Sequence, residues 1–216
     1  VNKAGRQRML SQRCAKAWLM ILANVEVDRG RKILDGSVAL FERQMGELGA
    51  LQPNAEVTAA YGQLRTEWEA FRPLLVQAPS AAAAPAVFKA NESVLAAAHK
   101  TTQAYEKAVG GSFGRVINLS GRQRMLSQRM AKFYFFQRLG VNAQEASAGL
   151  DKARKEFTGA QAELLAAPEN TPAVRDELAL TQQQWQFFQV ALDDGTASAK
   201  AASQVATTSE RILEEL

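Results

Sequence analysis

The sequence predicts an all-α protein built as two tandem up-down four-helix bundles related by a pseudo-twofold axis. Three observations predict it. A fifteen-residue segment, NKAGRQRMLSQRCAK at 2–16, returns as NLSGRQRMLSQRMAK at 118–132 with only three changes. Outside it, apolar residues recur at alternating steps of three and four, the seam of a helical bundle. Alanine is abundant, and β-branched and aromatic residues form no short alternating runs, so helix is favoured throughout.

The elements follow in order. The first helix of each unit carries the repeated segment and stops near Asn24 or Gly140, aligned residues of types that accept the left-handed backbone at helix ends. The second shows Leu34, Val38, Phe41, Met45 and Leu48; Leu34, Asp35, Phe41 and Leu48 recur as Leu150, Asp151, Phe157 and Leu164. The third shows Val57, Tyr61, Leu64, Trp68, Phe71 and Leu75, answered by Val174, Leu178, Thr181, Trp185, Phe188 and Leu192. Trp68 and Trp185 read as core. The fourth helix is expected over 86–109 and 196–214, where the two copies align poorly. Pro53, Pro73 and Pro172 fall near predicted helix ends, and 79–85 reads as an extra loop of the first copy. The glycine cluster at 110–114 follows a helix and lacks phosphate-loop spacing, so it reads as the turn between units 1–112 and 113–216.

An up-down-up-down bundle begins and ends at one pole. A short turn there lets the two motif helices run side by side and parallel, as two identical chains do in a symmetric dimer.

Composition narrows the functions. The 216 residues carry a formal charge of +4 and are 47% hydrophobic, enough for a sizeable core. His99 is the only histidine and Cys14 the only cysteine, so a disulfide, His-based metal sites and Ser-His or Cys-His catalysis lack their parts. His99 reads as structural, and no metal, cofactor or enzymatic activity is expected. Arg6, Arg8, Arg13 and Lys16 spread around their helix, and the aromatics read as core, so a nucleic-acid face is not expected. No apolar run reaches the roughly 18 residues that span a bilayer. The start at Val1, inside the motif, points to a removed leader or anchor.

A repeated core needs only apolar character, but here Arg, Gln and Ser recur letter for letter. On a helix Gly5, Arg8, Ser11 and Gln12 lie on one face, as do Gly121, Arg124, Ser127 and Gln128. Small residues beside one arginine let two backbones approach. Pairing those faces brings Arg8 and Arg124 together. At an effective dielectric of about 20, two such charges ~6 Å apart repel by roughly 3 kcal/mol, while an anion ~4 Å from each gains about 4 kcal/mol per contact before desolvation. A small planar oxyanion suits two guanidinium forks, with Ser and Gln side chains fixing its orientation. The competing expectation is a helix-pairing surface whose arginines meet carboxylates.

The motif resembles the P-box of PilJ-type sensor domains, found in type IV pilus chemoreceptors and nitrate/nitrite sensor kinases, with the pattern N-x-A-G-x-x-R-M-x-S-x-R. The first copy matches at Asn2, Ala4, Gly5, Arg8, Met9, Ser11 and Arg13, and the second at Asn118, Gly121, Arg124, Met125, Ser127 and Arg129, with Ser120 replacing the Ala. The resemblance implies a periplasmic four-helix signal-transduction module that binds nitrate or nitrite between two P-box helices, and a membrane sensor kinase or chemoreceptor as partner. It places the anion on Arg8 and Arg124, close to the backbone at Gly5 and Gly121. The chain departs from the family in having two domains and no signalling module, and in carrying Lys3 in one copy against Leu119 in the other.

Overall fold

The computed structural model describes residues 1–110, 114–168, 170–196 and 198–216, with side chains of the fifth helix described from 118 onward. The described residues form helices and connecting turns only: α1 (Asn2–Leu22), α2 (Val27–Gly49), α3 (Ala55–Val76), α4 (Ala84–Val109), α5 (Gly114–Arg138), α6 (Ala143–Ala166), α7 (Pro172–Leu192) and α8 (Ala199–Glu215). They make two four-helix bundles in tandem.

Helix ends follow local chemistry. The side chains of Asn54, Thr171 and Ser198 accept from backbone N–H groups of Val57, Val174 and Ala201, satisfying donors that a helix start leaves free. Pro172 and Pro85 stand in the first turns of α7 and α4, where no N–H is needed. The α1–α2 and α5–α6 turns are copies of one another: Asn24 and Glu26 have φ of 55° and 48°, and Gly140 and Asn142 have 68° and 45°. Both turns thus place two left-handed residues at the same motif positions.

Some expectations shift. Pro73 lies inside α3, one turn before its end. Ala84 and Pro85 belong to α4 rather than to the extra loop. Val174, expected on the seam, is exposed in the first turn of α7. His99, read as structural, is exposed on α4. Of the expected inter-unit turn, 111–113 lie outside the described residues.

α1 packs against α2, α4 and α5, and α5 against α1, α6 and α8, so the motif helices occupy the middle of the molecule side by side. Their bonds ascend together, Arg8 with Asn118 and then Gln12 with Arg129, so the helices run parallel. One hydrophobic core continues through both bundles, from Leu10, Trp18 and Phe41 to Leu126, Phe135 and Phe157. Trp68 stacks on Phe41 with ring centroids 3.8 Å apart, and Trp185 sits on Phe157 at 4.4 Å. The copies differ by compensating volumes. Phe133 fills the space above Gly149, while the matching pair in the first copy is Ala17 and Ile33, both buried.

Candidate functional site

The duplicated motif lies along the α1–α5 seam and divides into two halves. The upper half holds Gly5, Arg8, Gly121 and Arg124. Arg8 is only 5% exposed. Its Nη2 donates to Asn118 Oδ1 of the other copy at 3.0 Å, and its Nε donates to Gly5 O at 3.4 Å. A Cβ on Gly5 would stand 3.3 Å from Arg8 Nη2, and one on Gly121 3.9 Å, so the guanidinium runs between two bare backbones. Arg124 is half-buried. It donates to the Leu216 carbonyl oxygen, which also accepts from Ser120 Oγ at 2.9 Å, and its buried Nε has no hydrogen-bond partner.

Electrostatics set these arginines apart. Burial lowers the pKa of Arg8, Glu106 pulls it back up and Arg122 pushes it further down. Burial also lowers that of Arg124, assisted by Arg6. Each motif arginine thus feels a like charge on the opposite helix, at matching positions. Among the described residues neither Arg8 nor Arg124 meets an Asp or Glu side chain at ion-pair distance; Arg8 donates to the Asn118 and Gly5 oxygens and Arg124 to the Leu216 oxygen.

Ser11, Ser127, Gln12 and Gln128 are fully buried and bonded within their own bundles, and Gln12 Oε1 also accepts from Arg129 Nη1 of the other copy at 3.4 Å. Ser11 and Ser127 donate to the carbonyls of Arg8 and Arg124. Gln12 Nε2 donates to Asn91 Oδ1 at 3.0 Å, and Gln128 Nε2 to Ser209 O at 2.8 Å. They tie each motif helix to the last helix of its bundle, one turn or less beyond the arginines.

The lower half is ionic, and sequence reasoning did not find it. Glu210 on α8 accepts from Arg13 Nε at 3.1 Å and Nη2 at 2.5 Å, and from Lys16 Nζ, which also donates to Ser209 Oγ at 3.1 Å. Glu92 on α4 accepts from Arg129 at 2.9 and 2.8 Å and from Lys132 Nζ at 2.5 Å, while Lys132 also donates to Asn91 Oδ1 at 2.9 Å. Each trio crosses from one bundle to the other, and the two are reciprocal. The available signal was a Glu in the fourth helix of each copy at an offset of 118, where alignment at 116 or 117 fails.

Both ammonium groups are fully buried. Burial pushes Lys16 down to about 8 and Lys132 to about 7, against the pull of their glutamates. Burial pushes Glu92 and Glu210 up, but Lys132 with Arg129 and Lys16 with Arg13 outweigh it and hold both at about 2. The two directions agree physically: each carboxylate faces two cations, whereas each lysine shares its one anion with an arginine.

No group of three or more His, Cys, Asp and Glu able to hold a metal occurs among the described residues, and no described helix is long and apolar enough to cross a membrane. Searches of the curated proteins and of the solved structures returned no match. The family model of the type IV pili methyl-accepting chemotaxis transducer N-terminal domain, PilJ, matches twice, over residues 1–94 and 111–210. Both matches contain a motif helix and its polar bonding pattern. The chain therefore belongs to the PilJ family, a family of non-enzymatic chemotaxis sensor modules, and carries that module in tandem.

Proposed function

We propose that the tandem module is a periplasmic sensor of a small oxyanion, nitrate first and nitrite second, held once at the α1–α5 seam. Arg8 and Arg124 are its guanidinium ligands, and the bare backbones at Gly5 and Gly121 let the Arg8 guanidinium reach it between the helices. Ser11, Ser127, Gln12 and Gln128 order the two helices beside it. One observation carries the reading. The Arg8 guanidinium is buried at the seam, and among the described residues neither it nor Arg124 touches an Asp or Glu side chain, in a motif whose Arg13, Lys16, Arg129 and Lys132 all meet one. Burial that lowers the pKa of both arginines, with no Asp or Glu side chain in contact, favours an added anion. A membrane-bound kinase or chemoreceptor would receive the signal.

A second reading has support of its own. The lower half of the motif pairs helices through carboxylates, as a purely structural surface would. The two readings assign different residues and coexist.

Calorimetry with nitrate, nitrite, chloride and sulfate tests the proposal. Nitrate is expected to bind, and Arg8→Ala with Arg124→Ala to abolish binding. Absence of heat with all four anions, or unchanged binding in the double variant, overturns it.

A further inference from the structure

The lower half of the motif carries an assignment beyond ligand contact. Arg8 and Arg13 lie five residues apart on one rigid helix, about 7.5 Å along its axis, and so do Arg124 and Arg129. Whatever holds Arg13 and Arg129 against the opposite bundle therefore sets where Arg8 and Arg124 stand. Glu210 and Glu92 do the holding. Their helices reach the opposite motif helix through these long side chains, since the close helix contacts are α1 with α4 and α5 with α8. We propose that Glu92 and Glu210 are positioning residues, reciprocal latches that fix the register of the two bundles. That this register spaces an anion site rests on the function proposed above; the latch itself does not.

The two latches are unequal. The Glu210 side chain is 5% exposed and that of Glu92 34%. Water therefore screens the Glu92 trio more strongly. Lys132 also lies over the Phe133 ring at 4.2 Å, a position held by Ala17 in the first copy, so its ammonium keeps a second attractive partner when Glu92 lets go. Glu92 is the latch that yields, and Glu210 the one that holds. Sensor bundles respond by helix shifts of about 1–2 Å; here the shift falls between α5 and α4 while α1 stays fixed to α8.

Spin labels at Thr66→Cys on α3 and Gln183→Cys on α7, exposed positions at matching places in the two copies, report the distance between bundles. Cys14 is buried and stays unlabelled. Glu92→Gln with Lys132→Met removes one latch without stranding the buried ammonium, and leaves Arg129, with a side chain 19% exposed, to turn toward water. It is expected to shift or widen the inter-label distance by about 1–2 Å with helicity unchanged. Glu210→Gln with Lys16→Met is expected to do so more strongly, and Glu92→Asp to keep the parental distribution. Nitrate binding is expected to weaken about 5-fold or more in the two double variants. Parental distances in both double variants, or widening by Glu92→Asp equal to that of charge removal, overturn the latch. If the parent protein binds no nitrate, the anion reading falls and the distances still decide the latch.

Discussion

Arg8 Nη2 donates to Asn118 Oδ1 across 3.0 Å, joining an arginine of the first motif copy to the opening residue of the second. The bond crosses the seam, and its donor is almost wholly buried. Arg8→Ala leaves Asn118 without this donor, and Asn118→Ala leaves a buried guanidinium without its seam acceptor. Each substitution is expected to cost about 1–3 kcal/mol. A double-mutant cycle read by urea unfolding is expected to return a coupling of about 0.5–3 kcal/mol; strict additivity would show that the two groups act independently.

Lys16 predicts a sharper asymmetry. Its ammonium is fully buried, and Glu210 supplies the negative charge it touches. Glu210→Gln strands the lysine and is expected to cost about 3–5 kcal/mol. Replacing both partners by apolar residues, Lys16→Met with Glu210→Leu, is expected to lie much closer to the parent, since burial of hydrophobic pairs at such places is often neutral or better. Arg13 is the member able to turn toward water, with a side chain 24% exposed. Equal losses in the single and double variants would contradict the trio as drawn.

The same carboxylates set the acid limit. Glu92 and Glu210 are held at about 2 in the folded chain, below the ordinary 4.5. Between these values the unfolded chain binds protons that the folded one refuses. The stabilisation is complete above pH 4.5 and is lost as pH falls from 4.5 through 2. Urea midpoints measured from pH 7 down to 3 are expected to drop below pH 4.5, and to drop less in the Lys16→Met, Glu210→Leu variant. A variant with the parental slope would remove Glu210 from the account.

Much of this architecture was legible, and the illegible parts have identifiable causes. Asn24 and Gly140 announced two helix ends because left-handed backbone restricts residue type, and both positions adopt it. Trp68 and Trp185 were readable as core because the three-four spacing is a direct image of one helix face. Arg8 and Arg124 stood out because their polar neighbours recur. Glu92 and Glu210 were hidden for the opposite reason. A lone glutamate on an Ala-rich helix looks solvated, and its partners lie far away in sequence on another bundle. Asn118 was legible as part of the motif, but its pairing with Arg8 depends on how two helices stand against each other, which no spacing along one helix encodes. Ser11 and Gln12 were expected to orient a ligand; Ser11 bonds to Arg8 O, and Gln12 donates to Asn91 and accepts from Arg129, because a buried hydroxyl or amide takes the partners nearest to it.

Gly149 and Phe133 supply the last prediction. A Cβ on Gly149 would fall 2.5 Å from the Phe133 ring, closer than packed atoms approach. The ring is 1% exposed, so it has little room to retreat. Gly149→Ala would gain helix propensity of roughly 1 kcal/mol but is expected to lose about 1–3 kcal/mol to overpacking, a net loss or at best no gain. Phe133→Ala alone empties the space of an aromatic ring and is expected to cost about 3–5 kcal/mol. The first copy solves the same problem with Ala17 beneath Ile33, both buried. Phe133→Ala with Gly149→Ile installs that solution in the second copy and is expected to recover part of the loss, so that the double variant unfolds at higher urea than Phe133→Ala. Lys132 keeps Glu92 in that variant but loses the ring beneath its ammonium. Recovery should therefore remain incomplete. A double variant no more stable than Phe133→Ala would mean that the two copies do not share a backbone close enough to exchange their packing.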